Sequence, residues 1–252
     1  LACLSYFWDF TGAIGGNTIT DSTGGVDATL FGGATRTATG VVLDGVNGYV
    51  DVNLDAKVMG GPMTITGVIK WNTFNAYSRL FDCGNAKSDN LIAGNLNNYG
   101  NLIWNILGGT KLHGASKTYA NSASGCSTVF IGSNCGGYCY DAPKSFNCAA
   151  SGCTQSIDPC CLTKCCSCKA KVSTPDLQLG VRYHIAVTVS GASMTKYING
   201  VQNGGVGVGG EPTLMSRSNC YIGKSNWATD GFLSGEVSSL KIYSGAMTQA
   251  EV

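Results

Sequence analysis

The sequence is poor in charge. Lys, Arg, Asp and Glu make up 12% of its 252 residues, about half the usual quarter. So few charges exclude a coiled coil and a charged disordered tail. The formal net charge is +1 and no basic run occurs, so the chain has no electrostatic handle for nucleic acid or an acidic membrane surface. No apolar stretch approaches the roughly 18 residues of a spanning helix. There are 5 prolines and 2 histidines, and the only glutamates are Glu211, Glu236 and Glu251. Asparagine is frequent, yet no Asn-x-Ser/Thr sequon occurs: Asn17-Thr18 runs into Ile19, and Asn121-Ser122 into Ala123. The usual acceptor for an N-glycan is therefore absent, while Thr35-Arg36-Thr37-Ala38-Thr39 leaves O-linked sugar open. No charged n-region opens the chain at Leu1, so a secretory leader is expected to have been removed or to lie upstream.

What is present is glycine and alternation. Glycine numbers 36, roughly twice average usage. The length suits one β-sandwich and is enough to bury a sizeable core. Met63-Thr64-Ile65-Thr66-Gly67-Val68-Ile69-Lys70-Trp71 places Met63, Ile65, Ile69 and Trp71 on one face of a strand, with Thr64, Thr66 and Lys70 mostly on the other. Tyr183–Val189 repeats the pattern with Ile185, Val187 and Val189 inward. Lys196-Tyr197-Ile198-Asn199-Gly200-Val201-Gln202 reads as a two-residue hairpin, because Asn-Gly tolerates the positive φ of a type I′ turn. Shorter strands are expected at Leu4–Phe10, Val41–Leu43, Tyr49–Val52, Arg79–Cys83, Leu102–Ile106, Tyr221–Gly223 and Glu236–Tyr243. Ser238-Ser239 breaks the alternation of the last and predicts a bulge. Thr248-x-x-Glu251 fits a capping box and predicts one terminal helical turn. The pattern is all-β, a sandwich or barrel.

Cysteine points to the compartment. The thirteen are Cys3, Cys83, Cys126, Cys135, Cys139, Cys148, Cys153, Cys160, Cys161, Cys165, Cys166, Cys168 and Cys220. So dense a cluster between Cys126 and Cys168 suits disulfides and an oxidising, extracellular or cell-surface location. An odd count leaves one thiol free, in an intermolecular bridge, or paired outside this sequence. Residues 124–171 are rich in Cys, Ser, Gly and Asn and lack alternating apolar residues. They read as an insertion held by disulfides, within a single domain spanning 1–252. Cys160-Cys161-x-x-x-Cys165-Cys166-x-Cys168 also has the spacing of a thiolate metal cluster, but zinc would need a reducing compartment. Cys83 and Cys220 flank strand ends outside the insertion; they pair with each other or with it.

Landmarks along the chain resemble the laminin-G-like, concanavalin A-like jelly-roll domains, in their third variety. Tyr6-Phe7-Trp8-Asp9-Phe10 and Asp21-Ser22-Thr23-Gly24-Gly25 are similar to the opening strand and loop. Val42-Leu43-Asp44-Gly45-Val46-Asn47-Gly48-Tyr49-Val50 is similar to its strand pair, and Thr64–Trp71 with Arg79–Gly84 to its central strands. Tyr183–Thr188, Tyr197–Val201, Tyr221–Gly223 and Phe232–Tyr243 resemble its closing elements, ending at Met247-Thr248-x-x-Glu251. The resemblance covers about 4–112 and 178–252; any further chain would begin a new module. It implies a two-sheet antiparallel jelly-roll sandwich with inward residues alternating.

The resemblance also implies chemistry to test against the residues. Some proteins of this fold cleave polysaccharides with closely spaced carboxylates. None of the three glutamates here has an acidic neighbour two or four residues on, and a Ser-His-Asp triad would have only His113 or His184 to use. The expectation is no enzyme. Many relatives hold one calcium at a sheet edge, for which Asp9, Asp21 and Asp27, with a carbonyl such as Gly24, are the candidate ligands. Against this, Ser238-Ser239 stands where relatives often carry an Asp-Glu pair, and Asp21 also fits a side-chain turn to its own backbone. Lectin-like relatives stack aromatic faces on sugars, with amides and carboxylates bonding the hydroxyls. Trp71, Tyr77, Trp104 and Trp227 are the aromatic candidates, with Asn226 beside Trp227; a Trp in an alternating strand is otherwise core. The reading is a secreted, non-catalytic module that binds an extracellular glycan or matrix protein. Its alternative is a structural subunit of an extracellular filament, wall or coat, self-assembling through strand edges or the odd cysteine and carrying O-glycans.

Overall fold

The computed structural model describes residues 2–12, 14–55, 57–108, 177–204 and 206–252. Between 109 and 176 it describes the backbone of the strands Lys111–Ser116, Val129–Phe130, Cys139–Tyr140, Cys153–Gln155 and Cys166–Cys168. In chain order the strands are β1 (Cys3–Asp9), β2 (Thr18–Ile19), β3 (Ala28–Phe31), β4 (Thr35–Thr37), β5 (Gly40–Asp44), β6 (Tyr49–Asp51), β7 (Val58–Met59) and β8 (Met63–Thr73). Next come β9 (Arg79–Asn85), β10 (Ser88–Asn95), β11 (Leu102–Gly108) and β12 (Lys111–Ser116), then β13 to β16, the four short strands from Val129 to Cys168. The series closes with β17 (Arg182–Ser190), β18 (Ser193–Ile198), β19 (Val201–Gln202), β20 (Gly207–Val208), β21 (Met215–Ser216), β22 (Asn219–Ile222) and β23 (Ser234–Ser244). Among the described residues there is no helix, and so none long and apolar enough to cross a membrane.

Two units emerge: 1–116 with 175–252, and 117–174. The sequence set the insertion at 124–171. In the second unit β13 pairs with β14 and β15 with β16. The side chains of its cysteines lie outside the described residues, and with them the disulfide and thiolate readings of that cluster.

The first unit is a sandwich of two antiparallel sheets. One runs β19-β18-β17-β8-β23-β5-β4, with β1 also on β23 and β20 on β18. The other runs β12-β11-β10-β9-β22-β6-β3-β2. Alternation explains the core between them. Met63, Ile65, Ile69 and Trp71 of β8 and Ile185, Val187 and Val189 of β17 all face inward and are buried. Leu30, Val50, Phe81, Ala93, Trp104 and Ile222 come from the other sheet. Thr64 and Thr66, expected outside, are buried as well, because β8 lies between β17 and β23. Thr64 Oγ1 donates to the Gly245 carbonyl at 2.9 Å. Trp104 Nε1 donates across the sandwich to the Thr188 carbonyl at 3.0 Å, and Lys196 Nζ to the Leu102 carbonyl at 2.7 Å.

The local expectations have clear outcomes. Asn199 and Gly200 adopt φ of 50° and 76°, the pair of positive angles that the β18–β19 hairpin needs. The bulge falls at Ser238: Val237 pairs with Ile69 and Ser239 with Val68, leaving Ser238 extra. There β23 exchanges partners, pairing with β5 over Ser234–Val237 and with β1 from Ser239 onward. Ser238 ties the junction together, its Oγ donating to the Thr39 carbonyl and its carbonyl accepting from Phe10 N–H. The terminal turn forms: Val252 N–H donates to the Thr248 carbonyl at 3.2 Å, an i to i+4 bond. Glu251 N–H donates to the Thr248 carbonyl at 3.1 Å, while Thr248 N–H and Oγ1 donate to the Glu251 carboxylate at 2.7 and 2.9 Å. The Glu251 carboxylate reaching back to Thr248 N–H is one half of the capping box; the threonine hydroxyl donates to that carboxylate rather than accepting from Glu251 N–H. Cys83 and Cys220 are bonded to each other, on directly opposed positions of β9 and β22. Cys3 is exposed and, among the described residues, free.

Candidate functional site

In the second sheet, strand register lines up Thr29, Asp51, Tyr221 and Asp82 across β3, β6, β22 and β9. Their chain neighbours Leu30, Val50, Ile222, Phe81 and Cys83 belong to the core. The period of two therefore turns this row to the outer face. One step along, Phe31 pairs with Tyr49. The segment 223–233 returns over this face, anchored by Gly223 N–H on the Arg79 carbonyl (3.0 Å) and Leu233 N–H on the Gly223 carbonyl (2.9 Å).

One half of the face is aromatic. Phe31 and Tyr49 stack at 5.1 Å, and Tyr221 meets Tyr49 edge-on at 5.5 Å. Phe232 closes the group at 6.4 Å from Tyr49. Lys224 Nζ sits 4.3 Å from the Tyr49 ring centre and 4.4 Å from that of Tyr221, a cation held over two electron-rich faces. Asp51 lies beside them. Its Oδ1 accepts from Asn53 N–H at 2.9 Å, and burial raises its pKa, an effect that Asn53 and Lys224 oppose and Asp55 reinforces. Burial, and then the Asp51 charge, push up the phenols of Tyr49 and Tyr221.

The other half is a polar knot. Phe81 pairs with Ala93 and Arg79 with Gly94, so Leu80 is an extra residue and Arg79 comes to Asp82's side of β9. The Arg79 guanidinium lies 5.7 Å from the Tyr77 ring centre and 5.9 Å from that of Trp227. Its Nη2 pairs with Asp230 at 2.6 Å, and Nε lies 3.7 Å from Asp82. Asp82, fully buried, accepts from Asn90 Nδ2 (2.8 Å), Asn226 Nδ2 (2.9 Å), Asn226 N–H (3.1 Å) and Ser225 Oγ (3.3 Å). Burial raises its pKa; the amides and Arg79 act against that. Two polar atoms of the knot, Arg79 Nη1 and Asn90 Oδ1, are buried without a hydrogen-bond partner. Tyr77 holds a φ of 54°, uncommon for an aromatic residue.

The five aromatic and amide candidates therefore divide. Tyr77 and Trp227 meet around Arg79, and Asn226 bonds Asp82 beside it. Trp71 and Trp104 do not: both are fully buried in the core, facing inward by alternation, and have no ring face to offer a sugar. The three aspartates are not assembled. Asp21 accepts five hydrogen bonds, from the N–H groups of Phe7, Thr23, Gly25 and Val26 and from Thr23 Oγ1. Donors pointed at both its oxygens are the wrong polarity for a cation's shell. A Cβ on Gly25 would sit 2.6 Å from Asp21 Oδ2, which explains the glycine. Asp27 accepts from Asp21 N–H, and Asp9 accepts from Thr11. Among the described residues no three His, Cys, Asp or Glu side chains are grouped to hold a metal. Asp9, Asp21 and Asp27 thus do not fit a calcium ion; they serve loop backbone.

Sequence reasoning missed Phe31, Tyr49, Asp51, Tyr221 and Lys224, along with Arg79 and Asp82. Alternation was the available signal. Tyr49 and Asp51 flank inward Val50, and Tyr221 sits between inward Cys220 and Ile222.

Fold and face together define a two-sheet antiparallel β-sandwich with an aromatic and polar outer surface on one sheet. Residues 168–252 match the family Laminin G 3, described as the concanavalin A-like lectin/glucanases superfamily. No curated protein matches the chain in sequence. Among solved structures, the chain is similar to domain 4 of AbnA, a GH43 extracellular arabinanase from Geobacillus stearothermophilus, in complex with arabinotriose. The TM-score is 0.62 at 15% identity, covering 99% of this chain and 96% of that one. It is also similar to Trypanosoma rangeli sialidase in complex with sialic acid, with a TM-score of 0.55 at 16% identity, covering 98% of this chain. The chain spans 32% of that sialidase's length. At such identities the likeness is one of fold.

Proposed function

We propose that this protein is an extracellular, non-catalytic module that binds carbohydrate on the outer face of its second sheet. The observation that carries the reading is the Phe31–Tyr49–Tyr221 ledge beside the Tyr77–Arg79–Trp227 group. Aromatic faces with carboxylates and amides at their edge match the apolar faces and hydroxyl rims of sugars. The fold is one in which an arabinanase domain takes arabinotriose. The Cys83–Cys220 disulfide suits an oxidising compartment. The glutamates are engaged elsewhere, which supports a binding role over a hydrolytic one: Glu236 by Lys70 and Arg182, Glu211 by Gly191 N–H and Glu251 by Thr248.

A glycan array tests the proposal with wild type, Tyr49→Ala and Trp227→Ala. Wild type is expected to bind a subset of glycans. Each variant is expected to lose about tenfold in affinity, the loss of roughly 1.4 kcal/mol of stacking. Trp104→Ala, by contrast, is expected to cost about 3–5 kcal/mol of stability as a core truncation. Flat wild-type binding across all sugars, or unchanged affinity in both Tyr49→Ala and Trp227→Ala, refutes the site.

A further inference from the structure

We infer that Lys224 and Asp51 are the specificity residues of this face and select neutral sugars that present two adjacent hydroxyls. The inference rests on the carbohydrate reading and adds the ligand class. Lys224 Nζ is held over the rings of Tyr49 and Tyr221 and makes no hydrogen bond among the described residues, so its donors are positioned and unspent. Asp51 Oδ1 takes Asn53 N–H; Oδ2 takes no hydrogen bond among the described residues. The two side chains interact electrostatically, yet no ion pair joins them among the described residues. One donor over the Tyr49 and Tyr221 rings and one acceptor on the strand position beside them thus stand close without closing on each other. Adjacent sugar hydroxyls, one accepting from the ammonium and one donating to the carboxylate, satisfy both while the sugar's apolar side lies along the rim of the aromatic group.

Charge decides against acidic sugars. Around Asp51 the ammonium of Lys224 is balanced by Asp51 itself, and Asp55 adds a second carboxylate. A sugar carboxylate drawn to Lys224 would meet this negative excess, whereas a diol meets none.

The experiment is calorimetric titration with methyl glycosides of galactose, glucose and arabinose, with N-acetylneuraminic acid and with glucuronic acid, using wild type, Lys224→Met and Asp51→Asn. Wild type is expected to bind at least one neutral glycoside tenfold or more tighter than either acid. Each variant should weaken the neutral ligand by about tenfold to a hundredfold, the range for a lost charge-assisted hydrogen bond. Asp51→Asn keeps the acceptor for Asn53 N–H, so folding is preserved, and it should strengthen the acidic sugars while weakening the neutral one. A merely structural role would not produce that reversal. Neutral binding left unchanged in both variants, or acids preferred by wild type, overturns this inference alone. No binding of any sugar by wild type overturns the carbohydrate reading, and the inference with it.

Discussion

Glu236 offers a measurable acid-stability signature. It stands directly opposite Lys70, which itself stands opposite Arg182, so two cations are adjacent with one buried carboxylate beside them. Lys70 Nζ lies 2.8 Å from Oε2 and Arg182 Nη2 lies 2.8 Å from Oε1; Arg182 Nη1 also contacts Ser238 Oγ. Burial opposes the charged form, but the bonds from Lys70, Thr39 and Arg182 prevail and lower the Glu236 pKa from 4.5 to about 2. At about 1.4 kcal/mol per pH unit this corresponds to at most ~3.4 kcal/mol. The Lys70 and Arg182 side chains are 28% and 39% exposed, so solvent screening brings the expected contribution to about 1–2 kcal/mol. The folded pKa is depressed, so the stabilisation is complete above the unfolded value of 4.5 and disappears as pH falls from there toward 2. The assay is urea unfolding followed by tryptophan fluorescence at pH 7, 4.5, 3 and 2, for wild type and Glu236→Gln. At pH 7 the variant should be less stable by about 1–2 kcal/mol, and the gap should close by pH 2. Parallel loss in the two proteins across that window would refute the assignment.

Two further outcomes follow from buried groups. Arg217, 1% exposed, donates to the carbonyls of Asp89, Met59, Thr213 and Met215, and burial lowers its pKa. Arg217→Met should cost roughly 3 kcal/mol or more in chemical denaturation, since each orphaned carbonyl costs about 1–3 kcal/mol. Arg217→Lys should not restore wild-type stability, because an ammonium lacks the guanidinium fork. The Cys83–Cys220 bond joins positions 137 residues apart, and closing so long a loop is worth about 5 kcal/mol in the chain-entropy limit. The double Cys→Ser variant should therefore lose about 2–5 kcal/mol by denaturant titration; an unchanged midpoint would count against the bond.

Much of the sandwich was readable because alternation is a local property. Ile65 and Ile69, Val187 and Val189, the Asn199-Gly200 turn and the Ser238 bulge all follow from neighbours within a few residues. The candidate site was less readable because adjacency between strands is not local. Tyr49, Tyr221 and Asp82 lie far apart in sequence and share a face only once β6, β22 and β9 are in register. Trp71 and Trp104 were set among the sugar candidates because side-chain chemistry does not disclose facing, whereas their place in alternating strands did. Tyr77, Trp227 and Asn226 were found through residue type and loop position, but the Arg79 guanidinium and the Asp82 carboxylate that hold them were not. Arg79 lies past an irregular step in β9 that no residue preference announces.

The position of β23 bears on how this molecule is made. The last strand is inserted between β8 on one side and β5 and β1 on the other. Until the ribosome has released nearly the entire sandwich, those strands have open hydrogen-bonding edges in the middle of the molecule. The sandwich therefore closes only once β23 itself has been made, by joining distant segments. Such folding is slow and leaves a nascent chain open to mispairing.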